Sequence, residues 1–263
     1  MNPMQLSARP ASPWLERAHK FQRDIDRALA TNVEETQWGL AVYHDGFPRV
    51  TDVNVLLVDS DAGGFDGPAL MREAERFQGG LPHRALRIDE PELAARVVPA
   101  FAAAGWTVDR TALMLLRRGP DRPLDVSAVA EVGIESIQGA REAAIRRVHR
   151  DLDVAAEAVA VGALQVEAAS VRAYAALVNG EVAAYCLLRI GEGGAKLVEV
   201  EALARSQGHG VGRATIWATA LAARQERRSP VFVECEDEEW AKSVHHRLGF
   251  DEAGKVHRLV RPW

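Results

Sequence analysis

Two carboxylates, Glu199 and Glu201, alternate with apolar residues in the run Leu197-Val198-Glu199-Val200-Glu201-Ala202-Leu203. That run reads as a central strand, where near-continuous apolar residues are expected. Burying a charge there is costly, so two carboxylates need a reason. One reason is proton abstraction from an amine, directly or through water. The other is structural: a splayed, solvated strand end, or pairing with an arginine. Directly after the strand comes Arg205-Ser206-Gln207-Gly208-His209-Gly210-Val211-Gly212-Arg213, and then a helix to about Arg227. Three alternate glycines let a backbone wrap closely around a guest. The unpaired amides of a helix N-terminus favour an anion, most often a phosphate. Arg205 or Arg213 adds charge. The turn therefore reads as a grip for the pyrophosphate of a coenzyme.

Other candidates are weaker. His246 and His257 read as surface or packing residues, and His209 matters more for its amide than its ring. No histidine or cysteine spacing suits a metal, and none is expected. Glu234, Glu236, Asp237, Glu238 and Glu239 form an acidic run. It reads as a solvated loop with Asp237 as helix cap, or as a dock for a cationic acceptor. Trp217 belongs to a core, and Trp240 to packing or to the wall of an acceptor site.

The elements that must hold these residues follow from periodicity and turn chemistry. Pro13 to Ala30 is an amphipathic helix. Strand-like runs follow at Trp38 to Tyr43 and Val50 to Val58, then a loop with Gly63, Gly64 and Gly67. Pro68 opens a helix to about Phe77, Ala85 to Ile88 is a strand, Pro91 to Ala104 a helix and Thr111 to Arg117 a strand. Gly119-Pro120-Asp121-Arg122-Pro123 is a linker. Beyond it come a strand at Val126 to Val132 and helices at Ser136 to Leu152 and Val154 to Ala169. Two strands, Val171 to Val178 and Val182 to Ile190, are joined by Asn179-Gly180, a strong hairpin signal. After the carboxylate strand, turn and helix come a strand at Val231 to Glu234, a helix at Asp237 to Leu248 and a last strand at Lys255 to Arg261.

A shift of 144 residues, which carries Val55 onto Glu199, lays Gly105-Trp106 on Gly249-Phe250 and Val53 to Val58 on Leu197 to Ala202. The chain reads as two copies of one module, residues 1–119 and 124–263. The first copy lacks the chemistry. Glu199 and Glu201 become Val55 and Leu57, Arg205 becomes Asp61, Gln207 becomes Gly63 and Arg213 becomes Ala69.

Composition fits a soluble globular protein, 48% hydrophobic and 26% charged. A net charge of −5 argues against nucleic acid and permits a cationic substrate. Only Lys20, Lys196, Lys242 and Lys255 are lysine among 32 basic residues, which suggests a GC-rich bacterial genome. No signal-like segment and no membrane-spanning run is evident, so a cytoplasmic location without a membrane partner is expected. Cys186 and Cys235 read as reduced core thiols.

The run Gln207-Gly208-His209-Gly210-Val211-Gly212 resembles the Gln/Arg-x-x-Gly-x-Gly/Ala signature of the GNAT acetyltransferase superfamily. Ala241 to Phe250, a helix running into Leu248-Gly249-Phe250, is similar to that family's closing pattern. The resemblance is strong over about 140 C-terminal residues and weaker before them. It implies an α/β (α+β) fold of two GNAT-like modules, each a mixed, mostly antiparallel sheet flanked by helices on both faces. It also implies acetyl-CoA as cosubstrate and direct acetyl transfer to a primary amine in a ternary complex. The acceptor is a small molecule or a peptide, and the protein a monomer or homodimer. The resemblance places Gln207, Gly208, His209, Gly210, Val211, Gly212 and Arg213 at the pyrophosphate, and Ala202, Leu203 and Ala204 along the pantetheine arm. It puts Glu199 ahead of Glu201 as base.

Three positions depart from the family pattern. Ala204 stands where proline is frequent, Glu238 where asparagine is, and His245 where a tyrosine often serves as general acid. His245 is thus the expected proton donor, against a packing role at a helix interface. Two other readings remain: a non-catalytic acyl-CoA sensor, and a dinucleotide-binding oxidoreductase built on Gly208-x-Gly210 with Glu234 as ribose acid. Arg213 at the third glycine position counts against the latter, as does the polar Arg205-Ser206-Gln207 between strand and glycines.

Overall fold

The computed structural model describes residues 12–59, 66–168, 170–203 and 210–262. The first half runs α1 (Pro13–Leu29), β1 (Asn32–Thr36), β2 (Gly39–Tyr43), a 3-10 turn (Thr51–Val53), β3 (Val55–Val58), α2 (Gly67–Gln78), β4 (His83–Ile88), α3 (Pro91–Ala103) and β5 (Thr107–Leu116). The second half runs β6 (Val129–Val132), a 3-10 turn (Ile134–Ile137), α4 (Gln138–Val148), α5 (Leu152–Glu167), β7 (Ser170–Val178) and β8 (Glu181–Gly191). It continues through β9 (Gly194–Ala202), α6 (Val211–Gln225), β10 (Val231–Glu236), α7 (Glu239–Arg247) and β11 (Phe250–Pro262).

Local chemistry accounts for most boundaries. Proline occupies the first turn of α1, α2 and α3, where its missing N–H is no loss. The Asp66 carboxylate accepts from the Ala69 N–H at 2.9 Å and caps α2. Asp151 accepts from Asp153 and Val154 and caps α5. Asn179 and Gly180 have φ of +53° and +78°, as a two-residue hairpin turn between β7 and β8 requires. Two stretches differ from the periodicity. Residues 50–58 turn once as a 3-10 helix before the shorter β3. β1, an exposed and polar edge strand, has no apolar alternation to announce it.

The strands form one sheet in the order β1-β2-β3-β4-β11-β5-β10-β9-β8-β7-β6. Neighbours are antiparallel except β3 with β4 and β9 with β10. Helices cover both faces. α2, α3, α6 and α7 pack on one, α1, α4 and α5 on the other. Each half repeats strand, helix, strand, helix, strand in the same order, β3 to β5 and β9 to β11.

The two halves exchange their last strands. β11 lies against β4, pairing His257↔Ile88 through Pro262↔His83. β5 lies against β10, pairing Phe232↔Leu115 through Glu236↔Thr111. β5 and β11 also pair with each other from Phe250↔Leu116 to Val260↔Thr107. Leu259 is therefore buried in the core of the first half, among Leu56, Leu86, Leu93 and Phe101. Met114 is buried in the core of the second, among Leu188, Leu197, Ile216 and Phe250. No helix among the described residues is long and apolar enough to cross a membrane.

The exchange predicts that a deletion on β11 injures the first half. Leu259→Ala should cost about 2–5 kcal/mol in urea unfolding, the usual toll of a buried Leu truncation. It should raise amide exchange in β3 and β4. Protection of β3 and β4 unchanged from wild type would contradict the placement of β11.

Candidate active site

The two parallel strand pairs are built differently. β3 and β4 stay paired to their ends, at Val58↔Ile88. β9 and β10 pair only at Val231↔Ala195, Phe232↔Lys196 and Val233↔Leu197. Beyond that they are no longer paired with each other, though β9 follows β8 to Ala202 and β10 follows β5 to Glu236, and a cleft opens between them.

A bulge lies at the start of that divergence. The register of β8 with β9 moves from Leu187↔Val198 to Tyr185↔Glu201, so Glu199 and Val200 together oppose Cys186. Glu199 has φ of +49°, a left-handed conformation that costs a non-glycine residue on the order of 1 kcal/mol or more. Its side chain supplies the compensation. Arg141 of α4 donates to both carboxylate oxygens, Nε at 2.7 Å and Nη2 at 2.8 Å. Nη2 also donates to the Gly162 carbonyl of α5 at 3.3 Å, and Nη1 to Gln138. The guanidinium is buried, and this fork-to-fork geometry fixes direction as well as charge.

Cavities lie on both sides of this segment. The cleft between β9 and β10 has a volume of about 890 Å³ and is bounded by Leu197–Ala202, the start of α6, and Trp240 to His245 of α7. α6 is capped by Gly210 at φ of +81°. By helix geometry the amides of Val211, Gly212 and Arg213 lack intrahelical acceptors. A Cβ on Gly212 would stand 3.3 Å from that of Ala202, so glycine permits the tight approach of helix to strand. On the other face of β9, α4 and α5 enclose a second cavity of about 480 Å³. The first half completes its wall with Arg49, Val50, Thr51 and Asp52. The two cavities share Arg147, Glu199, Val200 and Glu201. A third cavity, about 410 Å³, collects Arg122, Arg213 and Arg247 beside the linker.

The candidates fall into place unevenly. Glu199, the expected base, has both oxygens engaged by Arg141 and is a poor proton acceptor while that pair stands. Glu201 receives a single bond, to Oε2 from Nη2 of the largely exposed Arg147 at 2.9 Å, and its side chain is 19% exposed. Of the two it is the carboxylate with an oxygen to spare.

His245 lines the cleft but is buried. Burial pushes its pKa below the usual range, against the pull of the Ala241 carbonyl, which lies 3.0 Å from Nδ1. The neutral ring therefore carries its proton on Nδ1, and Nε2, without a partner, is a lone pair. In that tautomer Nε2 has no proton to give, which weighs against His245 as proton donor.

Ala202 lines the cleft, and the Leu203 amide extends the ladder to Ala183. Gly210, Val211, Gly212 and Arg213 form the first turn of α6. Ala204, Arg205, Gln207, Gly208 and His209 lie outside the described residues. Asp237 does not cap α7. Lys242, Lys255 and Arg110 surround it, and α7 is entered through Glu238 without a side-chain cap. Trp240 is exposed on the cleft rim. Both thiols are free.

Arg141, Arg147, Tyr185 and the Arg49–Asp52 segment escape the sequence reading. Only Arg141 left a trace: an arginine one step off the apolar stripe of α4, facing a glycine in the next helix.

Glu234 sits beneath the cleft, on the α1 face of the sheet. Burial opposes its ionisation, but Lys196 at 2.8 Å and Arg87 outweigh it and hold the carboxyl at about 2.

Several solved structures share this fold. A GCN5-related N-acetyltransferase from Kribbella flavida superposes with a TM-score of 0.64 over 96% of this chain and 96% of its own, at 18% identity. One from Sphaerobacter thermophilus gives 0.60 over 93% and 85%, at 12% identity. A tandem GNAT protein from the clavulanic acid biosynthesis pathway gives 0.53 over 85% and 73%, at 16% identity. At these identities the likeness establishes the fold. No protein-family model and no curated protein matches the chain.

The Glu234 environment makes stability depend on pH in a defined sense. A carboxyl held below its ordinary 4.5 stabilises the fold above that pH, and the contribution is lost as pH falls toward 2. Glu234→Gln leaves two buried cations short of a partner and should cost roughly 3–5 kcal/mol at pH 7. The deficit against wild type should shrink between pH 4.5 and 2, followed by urea titration at each pH. A deficit constant across that window would contradict the assignment.

Proposed function

We propose that this protein is an acyltransferase of the N-acetyltransferase type, moving an acetyl group from acetyl-CoA to a primary amine within a ternary complex. One observation carries the reading. A cleft ending at the N-terminus of α6 and a second cavity on the other face of β9 meet at a single bulged strand segment, Glu199–Glu201. Direct transfer needs two substrates approaching one point from opposite sides.

In this reading the thioester supplies the electrophilic carbonyl, and the chain's own groups do the rest. The amides of Val211, Gly212 and Arg213 hold the pyrophosphate, with charge from Arg213, Arg122 and Arg247. The arm occupies the cleft along Leu197–Ala202. The bulge leaves a strand amide outside the ladder, free to donate to the carbonyl oxygen as charge builds there. Glu201, open to both cavities, takes the proton of the attacking amine, directly or through water. Net, one proton passes from nitrogen to sulfur. Glu199 is a positioning residue that keeps the bulge in shape through Arg141. Residues 124–263 carry the cofactor cleft, and residues 1–119 supply a wall of the acceptor cavity. In the first half β3 and β4 stay paired to their ends, and Asp66 at the start of α2 would repel a pyrophosphate.

A second reading, a non-catalytic acyl-CoA sensor, rests on His245, which offers no proton to a departing thiolate. Thiol release separates the two. With acetyl-CoA and a panel of primary amines, free thiol should appear at a rate set by the amine. Acetyl-CoA, and not NADH, should raise the melting temperature. Glu201→Gln should lower kcat by about 10²–10⁴-fold, the usual range for loss of a general base, with acetyl-CoA affinity unchanged. Stabilisation by acetyl-CoA without thiol release from any amine would favour the sensor. Stabilisation by NADH alone would sink both.

A further inference from the structure

A fourth cavity, of about 350 Å³, lies where the two halves meet, on the α1 and α5 face of the sheet. Its wall includes Asp26, Arg87, Gln165, Arg189, Lys196 and Arg258. It shares Thr51, Asp52 and Gln165 with the acceptor cavity, so the two adjoin. Most of its charges are already matched. Lys196 donates to Glu234 at 2.8 Å and to Gln22 at 2.6 Å. Arg258 meets Asp52, and donates to Thr51 at 2.8 Å. Arg87 donates to Asp89 at 2.9 Å.

Arg189 is the exception. It is 7% exposed, and among the described residues no carboxylate stands within ion-pair distance of it. Among the described residues its side chain hydrogen-bonds only to the neutral Gln165, and Nε has no hydrogen-bond partner. Its guanidinium is removed from water with no carboxylate in direct contact, and burial pushes its pKa down against the more distant pull of Glu199, Asp26 and Glu234. Its planar fork of donors matches a carboxylate. Two further polar atoms at the cavity lack a hydrogen bond, Arg87 Nη2 and Asp26 Oδ2, though each stands 3.7 Å from an opposite charge, on Glu234 and on Arg87. Asp26 would repel an anion only when ionised, and burial raises its pKa, against the pull of Arg87.

The position of Arg189 relates it to the transfer point. It lies on β8 four residues beyond Tyr185, on the same face of the strand, and Tyr185 pairs with Glu201. Four residues of strand span about 13 Å, and two long side chains reaching into adjoining cavities shorten that gap.

We propose that Arg189 receives the carboxylate of the acceptor, and that the acceptor is an amino acid or short peptide whose reacting amine lies several bonds from its carboxylate. The amine sits at Glu201 and the carboxylate at Arg189, with Gln165 and Arg87 beside it. This rests on the acyltransferase reading and adds the acceptor's chemical class to it.

The test uses matched pairs with and without the carboxylate: 6-aminohexanoate against hexylamine, and lysine against cadaverine. In the wild-type protein the carboxylated member should have the higher kcat/KM by about 10- to 100-fold, the worth of a hydrogen bond to a charged group. Arg189→Met should erase that preference through KM while leaving hexylamine and cadaverine unchanged, and Arg189→Lys should restore part of it. Equal rates within each wild-type pair would overturn the proposal, as would an equal loss for both members in Arg189→Met. Calorimetry with 6-aminohexanoate and no acetyl-CoA reads the site independently of transfer. Binding to wild type that is lost in Arg189→Met supports the site even if no amine is acetylated, in which case only the acyltransferase reading fails. Acetylation of all four amines without preference leaves that reading standing and removes this one.

Discussion

The ion pair between Arg141 and Glu199 is the constraint on which the candidate site depends. A left-handed glutamate in a strand is unfavourable by itself, and it persists because a buried guanidinium grips both of its oxygens. That grip ties β9 to α4 and, through Gly162, to α5. The bulge it holds shifts the ladder with β8 by one residue, and near the same level β9 leaves β10. One pair of side chains thus helps shape both the cleft and the cavity behind it. A second carboxylate two residues on is left with an oxygen to spare.

The strand exchange explains why a first half without a cleft of its own is kept in place. β11 completes the first half's sheet and β5 completes the second's, so the two cannot separate without breaking both. The arrangement presses the Arg49–Asp52 turn against α5, where Arg49 donates to Glu157 at 2.6 Å. That turn forms part of the wall of the cavity behind β9. Along the same seam a band of charges, from Asp26 to Arg258, is buried at the meeting of the halves. Such a band is expensive to bury unless its members are paired, and nearly all are.

Local signals were readable in the sequence because each is carried by a few adjacent residues. Asn179-Gly180 dictates its turn, the prolines start their helices, and Gly210 to Gly212 open α6 as their types require. The repeat was readable because strand and helix order survive where chemistry does not. What the sequence withheld is non-local. Nothing near Glu199 says that Arg141, 58 positions earlier, will occupy it. His245 shows its type but neither its burial, which favours the neutral ring, nor the Ala241 carbonyl that faces Nδ1. Two modules with swapped last strands and two with their own have the same sequence pattern, since the choice lies in which edge each strand meets.

The central claim is that the divergence of β9 from β10 is a binding cleft for acetyl-CoA, used once in the chain. The most direct measurement is a crystal structure of the protein with CoA. The claim predicts one molecule, its pantetheine arm between β9 and β10 and its pyrophosphate over the amides of Val211, Gly212 and Arg213. CoA bound in the first half, or on the outer surface with the β9–β10 cleft filled by solvent, would contradict it.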